Sequence, residues 1–295
     1  MPKTAIIFPG QGSQYVGMGK DLYENSSVAR EVFQQADDIL GFSLSKICFE
    51  GPEEELKQTK NTQPAIFLHS CVLLKMTQDL KADYTAGHSL GEYTANVFAG
   101  SINFETALKL VRLRGELMQK AGEEHIGTLA AVVGLEPNIV EDVCAKASSQ
   151  GIVQCANYNS PGQIVISGSI AGIQAAMLLA KEAGAKMVKE LPVSGAFHSP
   201  LMLSAKTGLS LALDNTAFTD AKIPVYSNVT GNPIQSSEEI RTALKEQLTA
   251  AVRWESSIRN MIADGADNFI EIGPGKILQG LVKRINPNVT ISGIS

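Results

Sequence analysis

The pentapeptide Gly87-His88-Ser89-Leu90-Gly91 constrains this chain more than any other segment. It follows a weak strand expected over 83–86 and precedes a helix expected over 92–98. G-x-S-x-G at a strand-to-helix turn is tight enough that only glycine fits on either side of the serine. The serine hydroxyl is left exposed at the mouth of the sheet, and the N–H of Leu90 opens the helix, where it can face a developing oxyanion. The bare pattern also occurs as a glycine-rich turn with an idle serine. The flanking strand and helix are the context that a nucleophile requires.

The rest of the chain fits that context. Residues 4–8 read as a short buried strand, ended by Pro9-Gly10 and the loop Gly10-Gln11-Gly12-Ser13-Gln14. Helical periodicity appears at 28–40, 64–80, 104–120 and about 200–213. The middle differs: strand 128–133, helix 137–149, strands 153–158 and 163–167 joined by Ser160-Pro161-Gly162, helix 171–183, strand 186–191. This β-α-β-β-α-β order is the ferredoxin-like pattern. Alternation then resumes with strand 225–227, helices 238–248 and 254–263, strand 268–272, helix 276–285 and strand 289–292. The expected fold is α/β: an α/β-hydrolase-like core with a short parallel sheet, built from 1–125 and 194–295, plus a ferredoxin-like α+β subdomain inserted at 126–193. The length of 295 residues suits two domains. Aromatics are only 6%, so the core is aliphatic, as a buried parallel sheet requires.

Several function classes are excluded. A net charge of −5 gives no global basic field, so nucleic acid is not the main partner. Cys48, Cys71, Cys144 and Cys155 form no CxxC pair and no metal-ligand spacing with histidine. No metal is expected, and reduced thiols point to a cytoplasmic protein. The first apolar run is too short for a signal segment, and no run approaches the roughly 18 apolar residues of a membrane span. The sequons at Asn25, Asn228 and Asn288 are then chance matches.

A serine nucleophile needs a base, and there are four histidines. His69 lies in an apolar helical run and reads as a packed residue. His88 adjoins Ser89, where neighbouring side chains diverge. His125 sits beside Glu123 and Glu124 and reads as solvated. His198 lies in a small-residue loop, Val193-Ser194-Gly195-Ala196-Phe197-His198-Ser199-Pro200, where the chain returns from the insertion. Such junctions line clefts. No acidic residue stands out to orient His198, but a carbonyl serves, since neutral imidazole needs only an acceptor for its second N–H. The Gly10–Gly12 loop matches no nucleotide motif: Tyr15 and Met18 stand where glycine and lysine are required. Its backbone N–H groups can instead face a thioester oxygen. Arg112 and Arg114 read either as a solvated helix face or as bidentate partners for a substrate carboxylate.

Ordered blocks carry a resemblance: 8–14, Thr62-Gln63-Pro64-Ala65, 87–93, Arg112-Leu113-Arg114-Gly115, 157–162, 193–200, Gln247-Leu248 and 271–276. Together they resemble the malonyl-CoA:acyl carrier protein transacylases of fatty-acid synthesis and, more distantly, the acyltransferase domains of polyketide synthases. The similarity spans essentially the whole chain. The resemblance implies Ser89 as nucleophile and His198 as base. Gln11 and the Leu90 N–H would form the oxyanion hole. Arg114 would bind the malonyl carboxylate, Gln63 would line the site, and a carbonyl near Gln247 would orient His198. Gly195-Ala196-Phe197-His198 is similar to the malonyl-selective form of its loop. The implied substrate is malonyl-CoA, and the implied partner is acyl carrier protein with its phosphopantetheine. No permanently bound cofactor and no membrane partner are implied. Because such carriers are acidic, Lys181, Lys186, Lys189, Lys283 and Arg284 are candidate contacts. A trans-acting polyketide acyltransferase, a GxSxG thioesterase and a non-catalytic carrier-docking subunit remain as alternatives.

Overall fold

The computed structural model describes residues 3–77, 80–193 and 195–295. Met1-Pro2, positions 78–79 of the helix expected over 64–80, and Ser194 of the 193–200 loop lie outside the described residues. The strands are β1 (Lys3–Phe8), β2 (Tyr84–Gly87), β3 (Gly127–Val133), β4 (Val153–Ser160), β5 (Gln163–Ser169), β6 (Met187–Glu190), β7 (Val225–Tyr226), β8 (Pro233–Ile234), β9 (Ala266–Ile272) and β10 (Thr290–Ile294). The helices begin with α1 (Lys20–Asn25), α2 (Ser27–Leu40), α3 (Leu44–Glu50), α4 (Glu53–Leu56), α5 (Thr59–Met76), α6 (Gly91–Phe98) and α7 (Phe104–Glu124). They continue with α8 (Pro137–Ala147), α9 (Ile170–Glu182), α10 (Leu203–Asp214), α11 (Ser237–Glu246), α12 (Trp254–Ala263) and α13 (Ile277–Ile285).

The first sheet has the order β10-β9-β1-β2-β7-β8. Its first five strands are parallel, while β8 runs antiparallel to β7. The expected parallel sheet therefore carries an antiparallel edge. A tight turn produces it, with the N–H of Ser227 donating to the carbonyl of Asn232 at 3.0 Å. Strand β1 shows why this sheet is buried on both faces. Ile6 and Phe8 point into one apolar cluster, packed against α2, α5, α6 and α7, whereas Ala5 and Ile7 point into the other, packed against α12 and α13. Burying each such side chain contributes about 1.5–3 kcal/mol.

The second sheet is antiparallel, in the order β4-β5-β3-β6. One face packs on α8 and α9 through Ala130, Val132, Ile164 and Ile166. The opposite face turns Leu129 and Val165 toward the cluster of the first sheet. Strand β4 is also tied to the loop after α11. The N–H of Val252 donates to the carbonyl of Ala156 at 2.8 Å, and the N–H of Tyr158 donates to the carbonyl of Val252 at 2.9 Å.

Two local differences from expectation have clear causes. Helices α1, α3 and α4 span only six, seven and four residues, too short to show a period. Helix α5 begins at Thr59 and carries Pro64 inside it, rather than starting at the proline. Proline has no N–H to give the carbonyl four residues back. That carbonyl belongs to Lys60, and it accepts from Arg112 Nη1 at 2.9 Å instead.

Candidate active site

The elbow between β2 and α6 is as tight as its glycines suggest. A Cβ added to Gly87 would lie 1.8 Å from the carbonyl carbon of Gly91, and one added to Gly91 would lie 2.2 Å from the oxygen of Phe8. Between them Ser89 adopts φ 52°, a left-handed conformation that L-residues rarely hold. Asn228 pins the turn from β7's side. Its Oδ1 accepts the N–H of Ser89 at 2.6 Å, and its Nδ2 donates to the carbonyl of Gly87 at 2.7 Å. Neither the N–H of Leu90 nor that of Gln11 donates to an acceptor among the described residues, and the buried Gln11 Oε1 also lacks a partner.

His198 shares the strain of Ser89, with φ 56°. Its Nε2 lies 2.8 Å from Ser89 Oγ. Its Nδ1 faces the carbonyls of Gln247 at 2.9 Å and Ala250 at 3.2 Å. Both carbonyls only accept, so Nδ1 carries the proton and Nε2 is left to accept from the serine hydroxyl. Gln154 holds the loop from β4, its Nε2 donating to the carbonyl of His198 at 2.9 Å and to that of Thr249 at 3.1 Å. Burial foremost, then the charge of Arg114, pushes His198 down to about 3. The imidazole is thus neutral, and able to accept a proton, throughout the physiological range.

This shift has a consequence for stability. Between pH 3 and the ordinary histidine value of 6.5, the unfolded chain binds a proton at His198 that the folded chain does not. Stability therefore rises with pH across that window and is lost on acidification, by up to about 1.4 kcal/mol per pH unit. His69, buried in α5 and pushed down to about 4, acts with the same sign. In denaturant titrations at pH 4 and pH 7, His198→Gln should show a smaller loss on acidification than the parent. An equal loss in both chains would remove His198 from this role.

Arg114 is fully buried, not solvated. It falls on the apolar stripe of α7 formed by Ala107, Val111, Met118 and Ala121, and so enters the core. Its Nη1 donates to Gln63 Oε1 at 2.7 Å. Its Nη2 donates to Gln247 Oε1 at 2.9 Å and reaches Ser89 Oγ at 3.2 Å. All three acceptors are neutral, and Nε has no partner. Burial lowers the pKa of Arg114, because its charge is removed from water without a carboxylate in contact. Gln63 is held in turn by the Met118 sulfur at 3.1 Å.

A buried carboxylate, Glu92, stands behind this group and was not singled out from the sequence. Its Oε2 accepts from Gln247 Nε2 at 2.6 Å and from the N–H of Asn228 at 3.3 Å, while Oε1 is unpartnered. Burial pushes it up to about 7, against the pull of Gln247, Asn228 and Arg114. Gln247 Nε2 also donates to the carbonyl of Ser89 at 2.9 Å, so one amide links elbow, arginine and carboxylate. Asn228 and Gln154 were likewise missed. In the sequence Asn228 stands out only as a sequon, but its side chain is fully buried. The acidic residue directly after the second elbow glycine was the one available signal for Glu92.

Ser89 and His198 open into a cleft of about 210 Å³ beyond the carboxyl ends of β1 and β2, also lined by Gln11, Leu129, Val165 and Phe197. Gln63, Arg114 and Gln247 are buried, in contact with Ser89 or with each other. His88 also lines the cleft, but its Nε2 is engaged by Asn159 Oδ1 at 2.9 Å. His125 caps α7 and is exposed. Among the described residues no group of three or more His, Cys, Asp or Glu is placed to hold a metal ion. Among the described residues no helix is long and apolar enough to cross a membrane.

A family model described as an acyl transferase domain matches residues 5–287. The chain belongs to the acyl transferase family. This acyl transferase is 46% identical over 298 residues to the malonyl CoA-acyl carrier protein transacylase of Bacillus subtilis, covering 100% of this chain and 94% of the relative. Among solved structures, the acyl carrier protein S-malonyltransferase of Vibrio cholerae superimposes with a TM-score of 0.96 at 42% identity, covering 99% of this chain and 97% of the other. A malonyl-transacylase solved in complex with its type II polyketide synthase acyl carrier protein gives a TM-score of 0.96 at 39% identity, covering 99% of this chain and 96% of the other.

Proposed function

We propose that the chain transfers a malonyl group from malonyl-CoA to the phosphopantetheine thiol of acyl carrier protein, in cytoplasmic fatty-acid biosynthesis. The observation that carries this reading is a single hydroxyl, Ser89 Oγ, set 2.8 Å from a neutral imidazole and 3.2 Å from a buried guanidinium. In the first half-reaction His198 Nε2 takes the proton of Ser89 as Oγ attacks the thioester carbonyl. The N–H groups of Leu90 and Gln11 receive the oxyanion, each such donor being worth about 3 kcal/mol. Coenzyme A leaves as the thiol, protonated by His198, and malonyl-Ser89 remains. The carrier thiol then enters the cleft and reverses the sequence. Arg114, held by Gln63 and Gln247, turns toward the malonyl carboxylate, and Phe197 limits the acyl pocket. No permanently bound cofactor takes part.

The architecture supports this division of labour. Residues 1–125 and 194–295 form an α/β-hydrolase-like catalytic domain, and 126–193 form a ferredoxin-like subdomain. The strand order β4-β5-β3-β6 with α8 and α9 on one face supports that description. The subdomain covers the cleft and keeps water from the acyl-enzyme. Among the candidate carrier contacts, Lys181, Lys186 and Lys189 are exposed. Lys283 donates to the carbonyls of Pro287 and Val289, and Arg284 to the side chain of Gln163, so these two are already engaged. Similarity to a transacylase solved with a polyketide carrier favours a second reading, in which the carrier belongs to a polyketide pathway.

Incubation with malonyl-CoA should leave a malonyl mass adduct on the Ser89 peptide, discharged by holo carrier protein. A native enzyme without that adduct rules out the covalent route. Release of free malonate instead of malonyl carrier would make the chain a thioesterase.

A further inference from the structure

Two of the four cysteines lie on packed neighbouring elements and line one cavity away from the cleft. Cys144 lies on α8 and Cys155 on β4, the strand beneath that helix. They are 5% and 8% exposed. Both nevertheless line an open surface cavity of about 370 Å³, together with Glu141, Gln154 and Tyr158. Both thiols are free, and each influences the titration of the other. The Cys144 side chain holds Cys155 below its ordinary value against the effect of burial, while Cys155 and burial push Cys144 up. Cys48, in contrast, is pushed up to about 12 by burial, and Cys71 is raised for the same reason. Of the cavity pair, Cys155 is the thiol more readily deprotonated, and thiolates are the reactive form.

The strand that carries Cys155 reaches the active site through the residue just before it. Gln154 Nε2 donates to the carbonyl of His198, and the backbone of Ala156 and Tyr158 holds Val252. The 247–250 segment, which offers carbonyls to His198, therefore rests on β4.

We propose that Cys144 and Cys155 form a redox-modification site, closed to a disulfide by hydrogen peroxide, and that closure draws β4 toward α8 and shifts Gln154 from the His198 carbonyl. The Cys155 thiolate attacks one peroxide oxygen. An S–O bond forms, the O–O bond breaks, and the leaving hydroxide takes a proton to become water. Cys144 sulfur then attacks Cys155 sulfur. The S–S bond forms, the S–O bond breaks, and the departing hydroxide leaves as a second water with the Cys144 proton. Two thiols are oxidised and one peroxide is reduced; a thiol reductant reverses the change. Dithiols that cycle in this way are the usual form of disulfide in reducing compartments.

The test treats the native full chain with hydrogen peroxide, digests it without reductant and reads peptide masses. A cross-linked peptide pair joining Cys144 to Cys155, lighter by two hydrogens than the separate thiol peptides, is expected. Acyl transfer by the treated enzyme should fall roughly tenfold, since small misplacements of a catalytic group are costly, and dithiothreitol should restore it. Cys155→Ala should keep the untreated rate and lose both the cross-link and the inhibition. Oxidation to sulfinic acid without a cross-link, a disulfide involving Cys48 or Cys71, or a full cross-link with unchanged transfer each overturns the proposal. The rate measurement rests on the transfer reading above, but the cross-link does not, so the two fail separately.

Discussion

Replacing His198 with alanine should slow acylation of Ser89 by malonyl-CoA by roughly four to six orders of magnitude, by analogy with base removal from serine-hydrolase triads. The size follows from the lack of a substitute. Among the described residues the serine hydroxyl has one proton acceptor in reach, His198 Nε2 at 2.8 Å. Arg114 at 3.2 Å is a donor only. His88, the other imidazole of the cleft, is committed to Asn159. What remains is binding and the backbone donors of the oxyanion hole, which give residual catalysis of about 10³–10⁴ over water in comparable sites. Rapid-quench measurement of the malonyl adduct, with a melting curve to show the variant is folded, checks this. A near-normal rate would point to another base.

Arg114→Ala should lower malonyl transfer by about 10²- to 10⁴-fold, from two charge-assisted hydrogen bonds worth about 1.5–3 kcal/mol each. Acetyl transfer should hold or rise. The physical reason is that an acetyl group entering the native site leaves a buried cation without a counter-charge, whereas a malonyl group supplies one. The variant also leaves Gln63 Oε1 and Gln247 Oε1 without their donor, so lower stability is expected from two buried acceptors, at about 1–3 kcal/mol each. Paired kcat/KM values for malonyl- and acetyl-CoA separate the two effects, because lost stability alone scales both substrates equally. Equal losses would take Arg114 out of carboxylate recognition.

The legibility of the site follows the range of the interactions that build it. The elbow could be read because its constraint is local: glycines within five residues must clear one another's backbone. His198 could be reached by elimination among four imidazoles. The sequence allows Arg114 to be either a solvated or a binding residue, although its spacing from Ala107, Val111, Met118 and Ala121 places it on a buried stripe. Neither the hold of Asn228 on the elbow nor the partner of Glu92 was legible. Asn228 acts on positions more than 130 residues away, and Glu92 is joined to Gln247 across 155 residues. Nothing in the sequence near either one marks such a partner. The same holds for the fold. The order of elements followed from period and turn residues, whereas the antiparallel return of β8 and the entry of Pro64 into α5 depend on a single turn and on Arg112.

Among the described residues, Ser89 and His198 are the only non-glycine positions with positive φ. Left-handed backbone at such residues costs on the order of 1–3 kcal/mol each. Selection for thermal robustness and selection for turnover therefore pull in opposite directions at these two positions. A library screened only for resistance to heat should drift there first, toward glycine, and enrich well-folded but inert chains. Any programme to harden this protein would need to hold both positions fixed and seek its gains in the relaxed backbone elsewhere.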